Sequence, residues 1–112
     1  MPQAAVHPER VAFNCLRLSA TLLGAAPLRY TPAGVPALNV LLQHQSQQAE
    51  GGQVRSIEVQ IKAIAFGAVA EALQRLSLGV AIEALGFLAH TRNGKGLVFH
   101  IQEFKPEEFK PV

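Results

Sequence analysis

The stretch Leu28-Arg29-Tyr30-Thr31-Pro32-Ala33-Gly34-Val35-Pro36, running on into Ala37-Leu38-Asn39-Val40-Leu41-Leu42-Gln43-His44, decides how this chain is read. A short extended piece, a Pro-Ala-Gly turn and a long strand follow one another, which is the backbone chemistry of a β-hairpin. Pro32 holds φ near the value that the first corner of a turn requires, and Gly34 takes a positive φ that would strain a residue carrying a Cβ. Beyond the turn, Leu38, Val40 and Leu42 share a parity, so the strand that follows has one face to bury.

Toward the N-terminus, residues 13–24 place Leu16, Leu18, Ala20 and Leu22 on one side and Arg17, Ser19 and Thr21 on the other, the alternation of a first strand. Toward the C-terminus, residues 45–53 are polar and close on Gly51-Gly52, so they predict a mobile loop. Residues 54–64 predict a third strand with Ile57, Val59, Ile61 and Ala63 inward and Ser56, Glu58, Gln60 and Lys62 outward. The period then changes. Val69, Ala72, Leu73 and Leu76 are spaced as on one face of a helix over 68–76, which Gly79 stops. Residues 80–89 read as a fourth strand, 90–96 as a loop around the Asn93-Gly94 turn signal, and 97–104 as a fifth strand. Flexible extensions are expected at 1–12 and at 105–112, the latter touching the domain only through Phe109.

Three strands, a short helix and two further strands are the order of a mostly β OB-fold, a five-stranded Greek-key barrel with its helix between strands three and four. Closure removes the open edges that a flat sheet of this size would expose. An unrelated five-stranded α+β domain fits the same pattern. Either way, 112 residues with 49% hydrophobic content suit one domain at 13–104 and one core. No apolar run reaches the roughly 18 residues of a membrane helix, and residues 1–12 lack a signal-peptide stretch, so a soluble cytoplasmic protein is expected.

The chemistry of most enzymes has little to work with here. There is no Asp, and the eight Glu are scattered. His7, His44, His90 and His100 show no paired ligand spacing, and Cys15 is the one thiol, read as a small strand residue. Gly94-Lys95-Gly96 joins two strands and opens no helix, so a phosphate-cradling loop is not expected. No enzyme activity, metal or cofactor is expected on these grounds.

What remains is a set of rim positions on a chain with net charge +2 and a pI near 9.0. Arg92 and Lys95 flank the turn between strands four and five, which in an OB-fold lines the oligonucleotide groove, and Arg29 and Tyr30 stand in the opening hairpin. Arg55 begins strand three and Lys62 lies near its end. Each alone reads as a solvated charge; together they outline a nucleic-acid surface. Tyr30 is the candidate for base stacking, ahead of Phe13, while Phe66, Phe87, Phe99 and Phe104 read as core or interface residues. Leu41, Leu85 and Phe87 fall on the parity opposite the core, so they predict the buried patch of a two-fold homodimer unless the helix or the tail covers them.

With these residues placed, the chain resembles primosomal replication protein N, the PriB family, relatives of bacterial single-stranded DNA-binding proteins. The resemblance covers about residues 13–104 and rests on Ala26-Pro27-Leu28-Arg29 with Pro32-Ala33-Gly34-Val35-Pro36, His44 with Ser46, and Gly86-Phe87 ahead of a basic loop holding Asn93-Gly94. It implies a homodimeric OB-fold that binds single-stranded DNA and joins a restart helicase, PriA, and other primosome components at stalled forks. It carries DNA contacts onto His44, Arg55, Arg92 and Lys95. Two departures from the family pattern, Glu58 in place of a tryptophan and Gln45 in place of an arginine, remove a stacking ring and a positive charge, and so imply weaker DNA binding. A protein-interaction module with little nucleic-acid affinity, or an RNA-binding OB domain, fits the same residues.

Overall fold

The computed structural model describes residues 12–107, which form strands β1 (Leu16–Ala25), β2 (Arg29–Tyr30), β3 (Pro36–Glu50) and β4 (Gln53–Phe66), helix α1 (Ala68–Gln74), and strands β5 (Ala81–His90) and β6 (Leu97–Pro106). The sheet order is β1-β5-β6-β4-β3-β2, and a further β1–β3 pairing closes the five long strands into a barrel. This is the OB-fold expected from the element order. Among the described residues, no helix is long and apolar enough to cross a membrane.

Closure depends on β1 serving two partners. Its first half pairs antiparallel with β5 from Leu16↔Gly86 to Thr21↔Ala81, and its second half pairs with β3 from Thr21↔Gln43 to Ala25↔Val40. A bulge between Leu22 and Gly24 lets the strand bend from one neighbour to the other. On the far side, β4 and β6 run parallel and meet at Ala63↔Phe99 and Ile64↔His100. The interior is narrow. Leu22, Leu38, Leu42, Ile82 and Phe99 fill it, interleaved with Ala20, Ala63, Ala65 and Ala84, the alternation of large and small side chains that a small barrel needs. Helix α1 closes one end by burying Ala70 and Leu73 against this core.

The opening hairpin forms as its residues require. Arg29 pairs with Ala37 and Tyr30 with Pro36. The turn between them is held by Gly34 N–H donating to the Thr31 carbonyl at 2.7 Å and Val35 N–H donating to Thr31 Oγ1 at 3.1 Å. Gly34 has φ 85°.

Residues 45–53 are not a loop. β3 and β4 stay paired in register from Ala37↔Phe66 out to Glu50↔Gln53, and Gly51 and Gly52, with φ 61° and 81°, make the two-residue turn. Positive φ at both corners is the turn that matches strand twist, and glycine supplies it. The polar composition reflects solvent on both faces of a hairpin that has left the barrel. This arm elongates the molecule: the Cα radius of gyration is 16.4 Å, against about 13 Å for a compact domain of about 100 residues.

Two boundaries also move. Strand one begins at Leu16, because the Asn14 side chain continues the ladder, donating to the Leu88 carbonyl at 2.8 Å and accepting from the Leu88 N–H at 2.9 Å. β6 runs past 104, since Lys105 pairs with Glu83 and Pro106 with Ile82, so these two residues belong to the barrel and not to a flexible tail. Phe109 and residues 1–11 lie outside the described residues.

Candidate nucleic-acid interface

Where β3 begins and β4 finishes, the outward sheet face, the β2 hairpin and the loop after β5 enclose a groove of about 500 Å³. Its floor is Asn39, Ile64, Phe66, Val98 and His100. The parity of each strand puts them there: Asn39 pairs with Ile64 and Ile64 with His100, so all three face outward while Ala63, Ala65 and Phe99 face the core.

The two walls carry the charge. On one side Arg29 crosses the floor edge, with Nη2 and Nε donating to Asn39 Oδ1 at 3.0 and 3.4 Å, and the exposed Tyr30 ring stands beside it. On the other side Arg92 projects from a turn that is pinned internally. Asn93 Oδ1 accepts from Lys95 N–H at 2.9 Å and from the Thr91 hydroxyl at 2.7 Å, and Gly94 N–H donates to the Thr91 carbonyl at 2.8 Å. Among the described residues, no carboxylate lines the groove. A site with two guanidinium groups, aromatic rings and no acid favours an anion with flat apolar faces.

The rings form a strip. His100 stacks on Phe87 with centroids 4.8 Å apart and planes at 12°, and on Phe66 with centroids 6.1 Å apart and planes at 29°. Phe66 keeps 42% of its surface exposed. Of the two readings of Phe66, core or interface, the core one is corrected by β4 running to Phe66: the residue shares outward parity with Lys62 and Ile64. The same parity argument identifies Asn39 and His100, which sequence reasoning left out. His90 joins the wall only through the loop geometry, and nothing in its local sequence marks it.

The structure thus brings Arg29, Tyr30 and Arg92 together and leaves four other candidates elsewhere. Lys95 is on the pinned turn but outside the groove lining. Lys62 is on the same sheet face, opposite Leu41, in the next depression beside Gly24 and Ala25. Arg55 lies near the arm tip, ion-paired with Glu50. His44 is at the arm's root. Its Nδ1 lies 2.7 Å from the Ser19 carbonyl and its Nε2 2.7 Å from Ser46 Oγ. A carbonyl only accepts, so Nδ1 carries the proton and Nε2 accepts from the Ser46 hydroxyl. Both ring nitrogens are engaged: Nδ1 ties β3 to β1, and Nε2 bonds within β3.

The three apolar positions do not form one patch. Leu41 is on β3 beside Lys62, whereas Leu85 lines a separate crevice on β5 with Arg17 and Phe104, and Phe87 is half-covered by His100. In that crevice Glu83 accepts from Arg17 Nη2 at 3.1 Å and lies 3.5 Å from Lys105 Nζ. The Arg17 hydrogen bond, aided by the Arg17 and Lys105 charges and opposed by partial burial, holds the Glu83 carboxyl below the usual glutamate range.

A protein-family model described as another single-strand binding protein family matches residues 14–103. The replication restart protein PriB of Bordetella pertussis is 42% identical over 91 residues, spanning 80% of this chain and 85% of that protein. The chain belongs to the PriB family. The crystal structure of PriB from Ralstonia solanacearum superposes with a TM-score of 0.80 at 41% identity, over 87% of this chain and all of that one. The single-stranded DNA-binding protein of Thermus aquaticus superposes with a TM-score of 0.69 at 26% identity, over 86% of this chain and 50% of that one. Within this PriB fold the two departures noted in the sequence face each other: Gln45 pairs with Glu58 across the arm, and Gln45 Nε2 donates to Glu58 Oε2 at 2.6 Å.

Proposed function

We propose that this chain binds single-stranded DNA in the groove between the β2 hairpin and the 91–96 turn, and acts without catalysis as an accessory of replication restart, stabilising a PriA-type helicase at stalled forks in the cytoplasm. The observation that carries the reading is the groove's composition: Arg29 and Arg92 on opposite walls, the Tyr30, Phe66 and His100 rings between them, and no carboxylate among the described residues of the lining. Guanidinium groups take phosphates, and exposed rings take bases without reading sequence. Lys62 and Lys95 extend the positive field on either side, whereas Arg55, tied to Glu50, and His44, tied to Ser19, contribute less. A two-fold homodimer completes the proposal, using Leu85 and Phe87 and the β1 edge ahead of Ser19, which has no strand partner among the described residues.

Titration of labelled oligo-dT at about 50 mM and about 200 mM salt tests the binding, since each phosphate contact on a single strand contributes about 0.7 to the slope of log affinity against log salt. The double variant Arg29→Ala, Arg92→Ala is expected to flatten that slope by about 1.4. Wild-type slope and affinity in the double variant would reject this groove. Light scattering on the same sample reads the dimer, and helicase stimulation on a forked substrate reads the partner role.

A further inference from the structure

The groove floor continues onto the arm without a break in register. From Ile64 toward the tip, the outward residues of β4 are Lys62, Gln60, Glu58 and Ser56, and those facing them on β3 are Leu41, Gln43, Gln45 and Gln47. Nucleic acid leaving the groove in this direction passes Lys62 and then, four residues or about 13 Å further along the strand, meets Glu58. The Glu58 carboxylate is fixed on this face. Its Oε2 accepts from Gln45 Nε2 at 2.6 Å and from Gln43 Nε2 at 3.5 Å, and both partners are neutral amides. The ion pairs among the described residues involve Glu50 and Glu83 but not Glu58, so its charge stays uncompensated.

We propose that Glu58 ends the nucleic-acid track of this protein, an inference that rests on single-stranded DNA occupying the groove. Screening at about 0.1 M salt has a length of about 10 Å, so Glu58 leaves the Lys62 contact nearly intact and acts on the next phosphate, the one that would lie along the arm. The amides on either side hold the carboxylate in place and offer that phosphate no cation. The arm is therefore a boundary of the bound strand, and the strand is released to solvent at its root.

The test uses the full chain and oligo-dT from about 4 to about 16 nucleotides, the range that single OB folds cover. Wild-type affinity should rise with length and level off once the groove and Lys62 are filled. Glu58→Gln keeps the side-chain shape and removes the charge. It should match wild type on the shortest oligonucleotides and exceed it about threefold on the longest at low salt, a gain that narrows as added salt screens the carboxylate in wild type. Glu58→Lys should extend the same pattern, and unchanged melting temperatures confirm that both variants fold. An equal gain at every length, or none, overturns the boundary. If wild type binds and Arg29→Ala with Arg92→Ala abolishes binding while both Glu58 variants follow wild type, only the boundary falls. If wild type binds no length at low salt, the groove reading falls and takes the boundary with it.

Discussion

β3 and β4 pass through two environments in one continuous ladder, and the two stretches are built on different rules. Inside the barrel their residues alternate between core and surface: Leu38, Val40, Leu42, Ala63 and Ala65 are buried, while Asn39, Lys62 and Phe66 face out. Past Gln43 and Gln60 the ladder continues with most side chains exposed, held by cross-strand pairs such as Gln45 with Glu58 and Arg55 with Glu50. An isolated two-stranded hairpin is marginal in water, so the arm depends on the barrel for its stability. The groove belongs to the barrel stretch, at the end where β3 begins and β4 finishes, and the arm leaves beyond Gln43 and Gln60. There the barrel supplies rigid floor positions, and the β2 hairpin and the loop after β5 stand as walls.

The hardest test of this difference compares two glycines. Gly86 is beside a register shift between β5 and β6, and a Cβ placed on it would overlap the His100 carbonyl, a backbone atom that cannot swing aside. Gly86→Ala is expected to cost about 3 kcal/mol in a denaturant titration and to shift His100, so DNA affinity should fall with stability. Gly52, at the arm tip, has open space around it and needs only its positive φ. Gly52→Ala should cost about 1 kcal/mol and leave the groove's affinity unchanged. Equal costs at the two positions would break the division between barrel and arm.

How much of this was legible in the sequence follows from the same division. Barrel strands advertise themselves through alternation, as Leu16, Leu18, Ala20 and Leu22 do, and the β2 turn does so through Pro32 and Gly34. In the arm only the β4 side alternates, through Ile57 and Val59. Residues 45–50 of β3 are polar on nearly every position, so no alternation marks them, and Gly51-Gly52 is the signal for their pairing. Arg29, Tyr30 and Arg92 were legible as rim residues because turns and loops mark rims. Asn39, Phe66 and His100 were not, because their role depends on residues 36 apart in sequence lying side by side: Ile64 beside His100 is a long-range fact. Arg55 looked available as a lone cation on a strand, and its partner Glu50 came into view only with the cross-arm pairing.

His44 marks the border itself. It is the last point at which β3 is tied to β1, and its ring spans the gap where the backbone ladder between them has opened. His44→Ala removes the bond to the Ser19 carbonyl and the bond to Ser46, at about 1–2 kcal/mol. Hydrogen exchange should speed up across residues 45–58 and leave the amides around Phe99 protected. Uniform loosening would mean that barrel and arm unfold as one unit. An unchanged arm would mean that the cross-strand pairs hold it without an anchor.

The smallest effect contrasts the ion pairs of the two regions. Glu83 joins β1, β5 and β6 through Arg17 and Lys105, whereas Glu50 and Arg55 join only the two sides of the arm. Because the folded Glu83 carboxyl is held below its unfolded range, the folded state binds the proton less readily than the unfolded chain does. Its contribution is therefore complete above the unfolded value and fades as the pH falls below about 4. Melting temperatures of wild type and Glu83→Gln, compared from about pH 6 downward, should differ near neutrality and converge in acid. The gap should also narrow with added salt, because the pair is partly open to solvent. A matching pH-dependent gap for Glu50→Gln would place the arm's ion pair on the same footing as the barrel's, and the arm would then need more than its root and its turn to explain why it stands.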